Sequence, residues 1–165
     1  MTTYSDASYA SFNIGNSAGA LTNANLRKYS LYYDSNVLGD LQTPLTAISY
    51  DADFNPYNVL SYGSSSTKWG ATLTPSIINS ATFGLWLQFL SQDADGYTIY
   101  SEPILCSNFS FEIPSDDLIN GIQWELEGVV GDVSDQDYYE TRIRKLRLRV
   151  NYGTSKGGLE LGCVF

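Results

Sequence analysis

Residue types able to do chemistry are few in this chain. Its 165 residues include no histidine, which removes the commonest general base and the commonest metal ligand. Ser-His-Asp and Cys-His nucleophile systems and His-based zinc or iron sites are therefore excluded. One stretch has metal-like spacing. Ser91-x-Asp93-x-Asp95-Gly96, followed by Glu102, sets oxygen ligands at alternate positions, a Gly at the bend and a distant Glu, as Ca²⁺ loops do. Helices flank such loops, whereas strand-like sequence flanks this one, so Asp95-Gly96 reads first as a tight hairpin turn. Asp93, Asp95 and Glu102 are the Ca²⁺ candidates behind that reading, and no catalytic residue, resident metal or cofactor is expected.

Three further constellations carry charge or aromatic surface. The carboxylate pairs Asp51/Asp53, Asp93/Asp95 and Asp116/Asp117 have the composition of a glycosidase pair, but each sits beside turn residues and reads as solvated loop. Arg142, Arg144, Lys145, Arg147 and Arg149 hold five of the nine basic residues. Lys145, Arg147 and Arg149 would line one strand face, as a groove for an anion or as a ladder of cross-strand ion pairs with Glu125 and Glu127. The ladder is the expected arrangement, with contact to an acidic neighbouring subunit as its variant. Among Trp69, Trp86 and Trp124, the last alternates with Ile122 and Leu126 and reads as core. Trp86 falls on the opposite face from Leu85 and Leu87, which makes it the interface candidate, or one member of a sugar-stacking platform.

These residues need a scaffold, and the scaffold signals are those of strands. Phe83, Leu85, Leu87 and Phe89 alternate with Gly84, Trp86, Gln88 and Leu90, a period of two. Before them, Thr74 suits an N-cap and Pro75 the first position of a short helical turn. Further strands are expected at Tyr9–Ile14, Leu26–Tyr33, Leu45–Tyr50, Val59–Tyr62, Tyr97–Tyr100, Cys106–Ile113, Ile122–Glu127 and Tyr138–Tyr152, with Asn36–Pro44 a loop turning at Gly39-Asp40. In the last strand Tyr139, Thr141 and Ile143 set one phase and Leu146, Leu148 and Val150 the other, so a β-bulge is expected near Arg144-Lys145. Short strands at this spacing, without an amphipathic helix, define an all-β antiparallel sandwich. Phe83, Leu85, Leu87, Phe109, Phe111, Ile113, Ile122, Trp124 and Leu126 are expected to face its core.

Two pieces of the chain, Trp69 to Leu90 (W-G-A-T-L-T-P-S-I-I-N-S-A-T-F-G-L) and Asn108 to Glu127 (N-F-S-F-E-I-P…I-N-G-I-Q-W-E-L-E), together with the closing Arg144–Tyr152 strand, resemble segments of structural proteins of tailed bacteriophages. The pieces cover about half the chain, and their order is permuted relative to the usual one. The resemblance implies a jelly-roll-like sandwich in a virion, assembled in the host cytoplasm, and a trimer, because trimers recur among phage decoration and fibre proteins.

Composition agrees with such a role. A chain this long buries roughly 70% of its unfolded surface without staples. Net charge is −9, which argues against a nucleic-acid partner. No apolar run spans a membrane and the N-terminus lacks the features of a secretory signal. Cys106 and Cys163 read as small buried hydrophobes in a reducing compartment, and the Asn108-Phe109-Ser110 sequon falls within an expected strand. Residues 1–25, rich in Ser, Asn and Ala, read as an N-terminal arm preceding a 26–165 sandwich. Such a segment is poorly equipped to order itself against about 1–2 kcal/mol of entropy per residue, so Thr2–Asn25 is expected to pack on a neighbouring subunit. The expectation is a non-enzymatic outer capsid decoration or cement protein working through other virion proteins. A tail or fibre component and a module binding host glycans are the alternatives.

Overall fold

The computed structural model describes residues 1–12, 23–44, 46–48, 57–92, 98–100, 102–132 and 139–154. In chain order the elements are β1 (Thr2–Phe12), β2 (Asn23–Tyr33), β3 (Asn36–Gln42), β4 (Thr46–Ile48), β5 (Asn58–Gly63), α1 (Pro75–Ile78), β6 (Gly84–Gln92), β7 (Thr98–Tyr100), β8 (Ile104–Ser107), β9 (Asp117–Asp132) and β10 (Tyr139–Thr154). They form two antiparallel sheets. One has the order β1-β10-β9-β5; the other runs β3-β2-β6-β7, with β4 also on β2 and β8 also on β6. The chain changes sheet from β1 to β2, from β4 to β5, from β5 to β6 and from β8 to β9. The all-β antiparallel sandwich expected from alternation is the fold.

Between the sheets lies one core. Leu26, Tyr29 and Leu31 of β2 and Leu85, Leu87 and Phe89 of β6 meet Ile122, Trp124 and Leu126 of β9 and Leu146, Leu148 and Val150 of β10. Every one of the nine residues expected to face the core is buried, none more than 5% exposed. Trp124 of the first sheet lies 5.0 Å from Tyr29 of the second, ring centre to ring centre. The bulge in β10 is also where the phase change requires it. Ile143 pairs with Gly128 and Lys145 with Glu127, leaving Arg144 as the extra residue. That one insertion lets Ile143 and Leu146, three positions apart, both be buried.

Several elements differ from the expectation, each for a local reason. The Asn36–Pro44 loop is strand β3, joined to β2 by Asp34 and Ser35, both at positive φ (47° and 68°). Two consecutive left-handed residues form the turn that matches strand twist, and neither position carries a glycine to announce it. Gly39-Asp40 is a bulge in β3 rather than its turn: the register moves from Tyr29↔Gln42 to Leu31↔Leu38. A Cβ on Gly39 would lie 2.4 Å from the Trp69 carbonyl oxygen, which accepts from the Asp40 N–H at 2.6 Å. The bulge thus receives the Trp69-Gly70 corner, where φ is 46° and 74°.

The expected Tyr9–Ile14 strand is present over Tyr9–Phe12 as the end of the longer β1, which pairs with β10 of its own chain from Thr2↔Asn151 to Phe12↔Thr141, while residues 13 and 14 lie outside the described residues. Residues 2–12 of the segment expected to pack on a neighbour are thus paired with β10 of the same chain. α1 begins as expected, the Thr74 hydroxyl accepting from the Ile77 N–H at 3.3 Å with Pro75 in the first turn. No helix among the described residues is long and apolar enough to cross a membrane.

Candidate interaction surfaces

With the core between the sheets, the candidate site residues fall on two outer faces of different chemistry. On the β10 sheet, Leu146, Leu148 and Val150 point inward, so Lys145, Arg147 and Arg149 share the outer face. Cross-strand register puts Glu127 opposite Lys145, Glu125 opposite Arg147 and Gln123 opposite Arg149. Arg147 Nη1 stands 3.9 Å from Glu125 Oε2, and Arg149 Nη1 donates to Gln123 Oε1 at 3.1 Å. One rung of the expected ladder is an ion pair, Arg147 with Glu125, worth ~0.2–1 kcal/mol, while the Arg149 rung ends on a neutral amide. Arg142 and Arg144 lie in the β10 backbone, Arg144 at the bulge, and their side chains fall outside the described residues.

The other outer face carries a group of apolar and aromatic side chains beside the polar pair Lys28↔Gln88. Trp86 of β6 is half-buried and sits in register between Ser30 of β2 and Leu105 of β8. In the adjoining row Tyr32 lies opposite Gly84 on one side and Val37 on the other. Leu105 is 50% exposed and Val37 46%. Ser30, by contrast, is buried at 1%, its hydroxyl donating to the Leu31 carbonyl at 2.9 Å. Trp86 therefore occupies an apolar stripe with an aliphatic neighbour, which is interface chemistry.

The two stretches that carry the phage resemblance meet in space. The side-chain amide of Asn79, just after α1, donates to the Ile113 carbonyl at 2.8 Å and accepts from the Ile113 N–H at 2.8 Å. Asn108 N–H donates to the Ala81 carbonyl at 3.0 Å. This clamp explains why the expected Cys106–Ile113 strand stops at Ser107. Asn108 and Ser110 have φ of 62° and 57°, incompatible with a strand. The left-handed residues alternate with Phe109 and Phe111, which stack 6.0 Å apart, so a period-two pattern arises without extended pairing. Asn108 at a left-handed position was the available signal, since Asn tolerates that region; the Asn79 clamp had none. Replacing Asn79 by alanine strands both Ile113 backbone groups, and an expected loss of about 1–2 kcal/mol is checked by urea denaturation.

Reactive groups are sparse. Burial pushes the Cys106 thiol from 9.0 up to about 11, so the sulfur stays protonated and unreactive near neutral pH. The folded chain keeps this proton where the unfolded chain loses it, so the contribution is intact below pH 9 and lost as pH rises through 11. The alkaline fall in denaturation midpoint over that window should be shallower in Cys106→Ala than in wild type. Cys163, Asp51, Asp53, Asp93 and Asp95 lie outside the described residues, while Glu102 is exposed. β7 (Thr98–Tyr100) pairs antiparallel with the end of β6, Ser91 lying opposite Ile99, and the Asp95-Gly96 turn expected between them lies outside the described residues. Asp116 lies exposed in the turn before β9 and Asp117 opens the strand, its N–H donating to the Pro114 carbonyl at 3.2 Å. Among the described residues, no group of three or more His, Cys, Asp or Glu side chains is placed to hold a metal. Comparison of the chain with family models, with curated proteins and with solved structures finds no match.

Proposed function

We propose that this chain is a non-enzymatic structural protein of a tailed-phage particle, an outer capsid decoration or cement subunit of jelly-roll-like type. It acts through contacts with other virion proteins and with copies of itself, as a trimer in the reading the resemblance favours. The observation that carries the proposal is the contrast between the outer faces. One sets basic residues of β10 in register with Glu125, Glu127 and Gln123 of β9; the other presents Trp86, Leu105, Tyr32 and Val37 as an apolar stripe on an otherwise acidic chain. Such a stripe suits a protein neighbour better than solvent. Leu105 and Ser30, not a second ring, flank Trp86 in its row, which favours assembly over stacking on a host glycan.

Quantitative mass spectrometry of purified particles tests the reading. A decoration subunit is present at a copy number comparable with the main shell protein, and a tail or fibre component at a small fraction of it. Absence from purified particles overturns the virion assignment. Trp86→Ala separates the two binding classes. Loss of particle occupancy with no glycan-array signal supports assembly, whereas a glycan signal that Trp86→Ala abolishes supports the carbohydrate reading.

A further inference from the structure

β1 differs from the other edge strand of its sheet in the residue types set opposite the buried positions. The β1 positions opposite the buried residues Val150, Leu148 and Leu146 are Thr3, Ser5 and Ala7. On the other edge, the β5 positions opposite Trp124 and Leu126 are Tyr62 and Leu60. Small and hydroxyl-bearing residues remove far less apolar area from water than Leu or Tyr. The β1 sequence thus offers little apolar side chain at these three positions, whereas its backbone pairs with β10 from Thr2 to Phe12, and a ladder of main-chain hydrogen bonds is satisfied equally well by the same strand from another copy.

The register is nevertheless specific to this sequence. At the strand's end the Tyr152 N–H donates to the Met1 carbonyl at 2.9 Å and the Met1 ammonium donates to the Tyr152 carbonyl at 2.7 Å. Asp6, the single charged residue of β1, stands opposite Arg147. Residues 13–22, Asn-Ile-Gly-Asn-Ser-Ala-Gly-Ala-Leu-Thr, join β1 to a strand of the opposite sheet. Without proline and with two glycines, ten such residues reach roughly 33–36 Å when extended, enough to cross to an adjacent molecule.

We propose that β1 is an exchangeable strand: in the assembled protein, residues 2–12 of one copy pair with β10 of a second copy in the register seen here within one chain. Every contact of the closed monomer is recovered, so the balance depends on concentration and on the 13–22 connection. A closed ring of donors uses each strand once and leaves no β10 edge open. The exchange does not rest on the virion assignment.

Disulfide trapping tests it with the full chain, in a background carrying Cys106→Ser and Cys163→Ser. Asp6→Cys and Arg147→Cys are introduced in separate chains, which are mixed and oxidised. Ser61→Cys replaces Arg147→Cys as the collision control, because Ser61 lies in the same cross-strand row at the far edge of the sheet. Exchange yields an interchain 6–147 disulfide at least tenfold above the 6–61 control. A yield equal to the control, while the double variant closes within one chain, overturns the proposal. Failure of the double variant to close removes the register and overturns it too. The unmodified chain gives an independent reading. Light and heavy isotope-labelled protein should form mixed oligomers in native mass spectrometry, and purely monomeric behaviour up to the solubility limit defeats the proposal.

Discussion

Trp124→Ala is expected to lower the unfolding free energy by roughly 3–5 kcal/mol, the largest loss from any single truncation in this core. The indole is 0% exposed in β9, inside the first sheet. It stacks on Tyr62 of the neighbouring strand at 4.9 Å and meets Tyr29 of the opposite sheet edge-on at 5.0 Å. Tyr29 in turn packs 4.8 Å from Tyr62 and edge-on to Trp69 at 5.6 Å. Burial pushes the Tyr29 pKa up, and the neighbouring Trp69 side chain only partly offsets it. Removing Trp124 therefore opens a cavity on both sheets at once and breaks ring pairs worth ~0.5–1.5 kcal/mol beyond their area.

A second variant separates packing from polarity. The Trp124 Nε1–H is buried without a hydrogen-bond partner among the described residues, so Trp124→Phe removes an unsatisfied donor along with some volume. It is expected to cost much less than alanine. Guanidinium denaturation of the three proteins decides the matter. An alanine loss below ~1 kcal/mol would mean that the ring cluster does not join the sheets.

Trp124 was legible in the sequence because it alternates with Ile122 and Leu126, and alternation is a direct projection of the pleat. The β10 bulge was legible for the same reason: a phase change between Ile143 and Leu146 has one backbone solution. Alternation failed at Phe109-Ser110-Phe111, where left-handed backbone at Asn108 and Ser110 produces the same two-residue period. It also missed β3, whose sequence Asn-Val-Leu-Gly-Asp-Leu-Gln is mostly exposed and carries a bulge at Gly39. A strand with little to bury leaves little pattern. The charge ladder was foreseeable from the Glu125/Glu127 and Arg147 phases, whereas the apolar stripe was foreseen only at Trp86. Its partners Leu105 and Val37 come from β8 and β3, and only long-range pairing brings them beside it.

Gly84→Ala is expected to cost on the order of 3 kcal/mol, although it adds one methyl group. The substitution tests how the two motif stretches are held together. A Cβ at position 84 would lie 1.8 Å from the Cys106 carbonyl oxygen and 2.9 Å from Ser107 Cα. These are backbone atoms of β8, and no rotamer change moves them aside. β8 must retreat from β6, loosening the Gly84↔Ser107 and Leu85↔Cys106 pairs. The strain then passes to the Asn108–Ala81 hydrogen bond and the Asn79–Ile113 clamp just beyond. Since Cys106 belongs to β8 and is kept unreactive by burial, the same displacement should expose its thiol. The variant should therefore show both a lower denaturation midpoint and faster labelling by a thiol reagent at neutral pH. If Gly84→Ala stays within ~0.5 kcal/mol of wild type with Cys106 still protected, β8 is free to shift, and the close approach at Gly84 is not what fixes this edge of the sandwich.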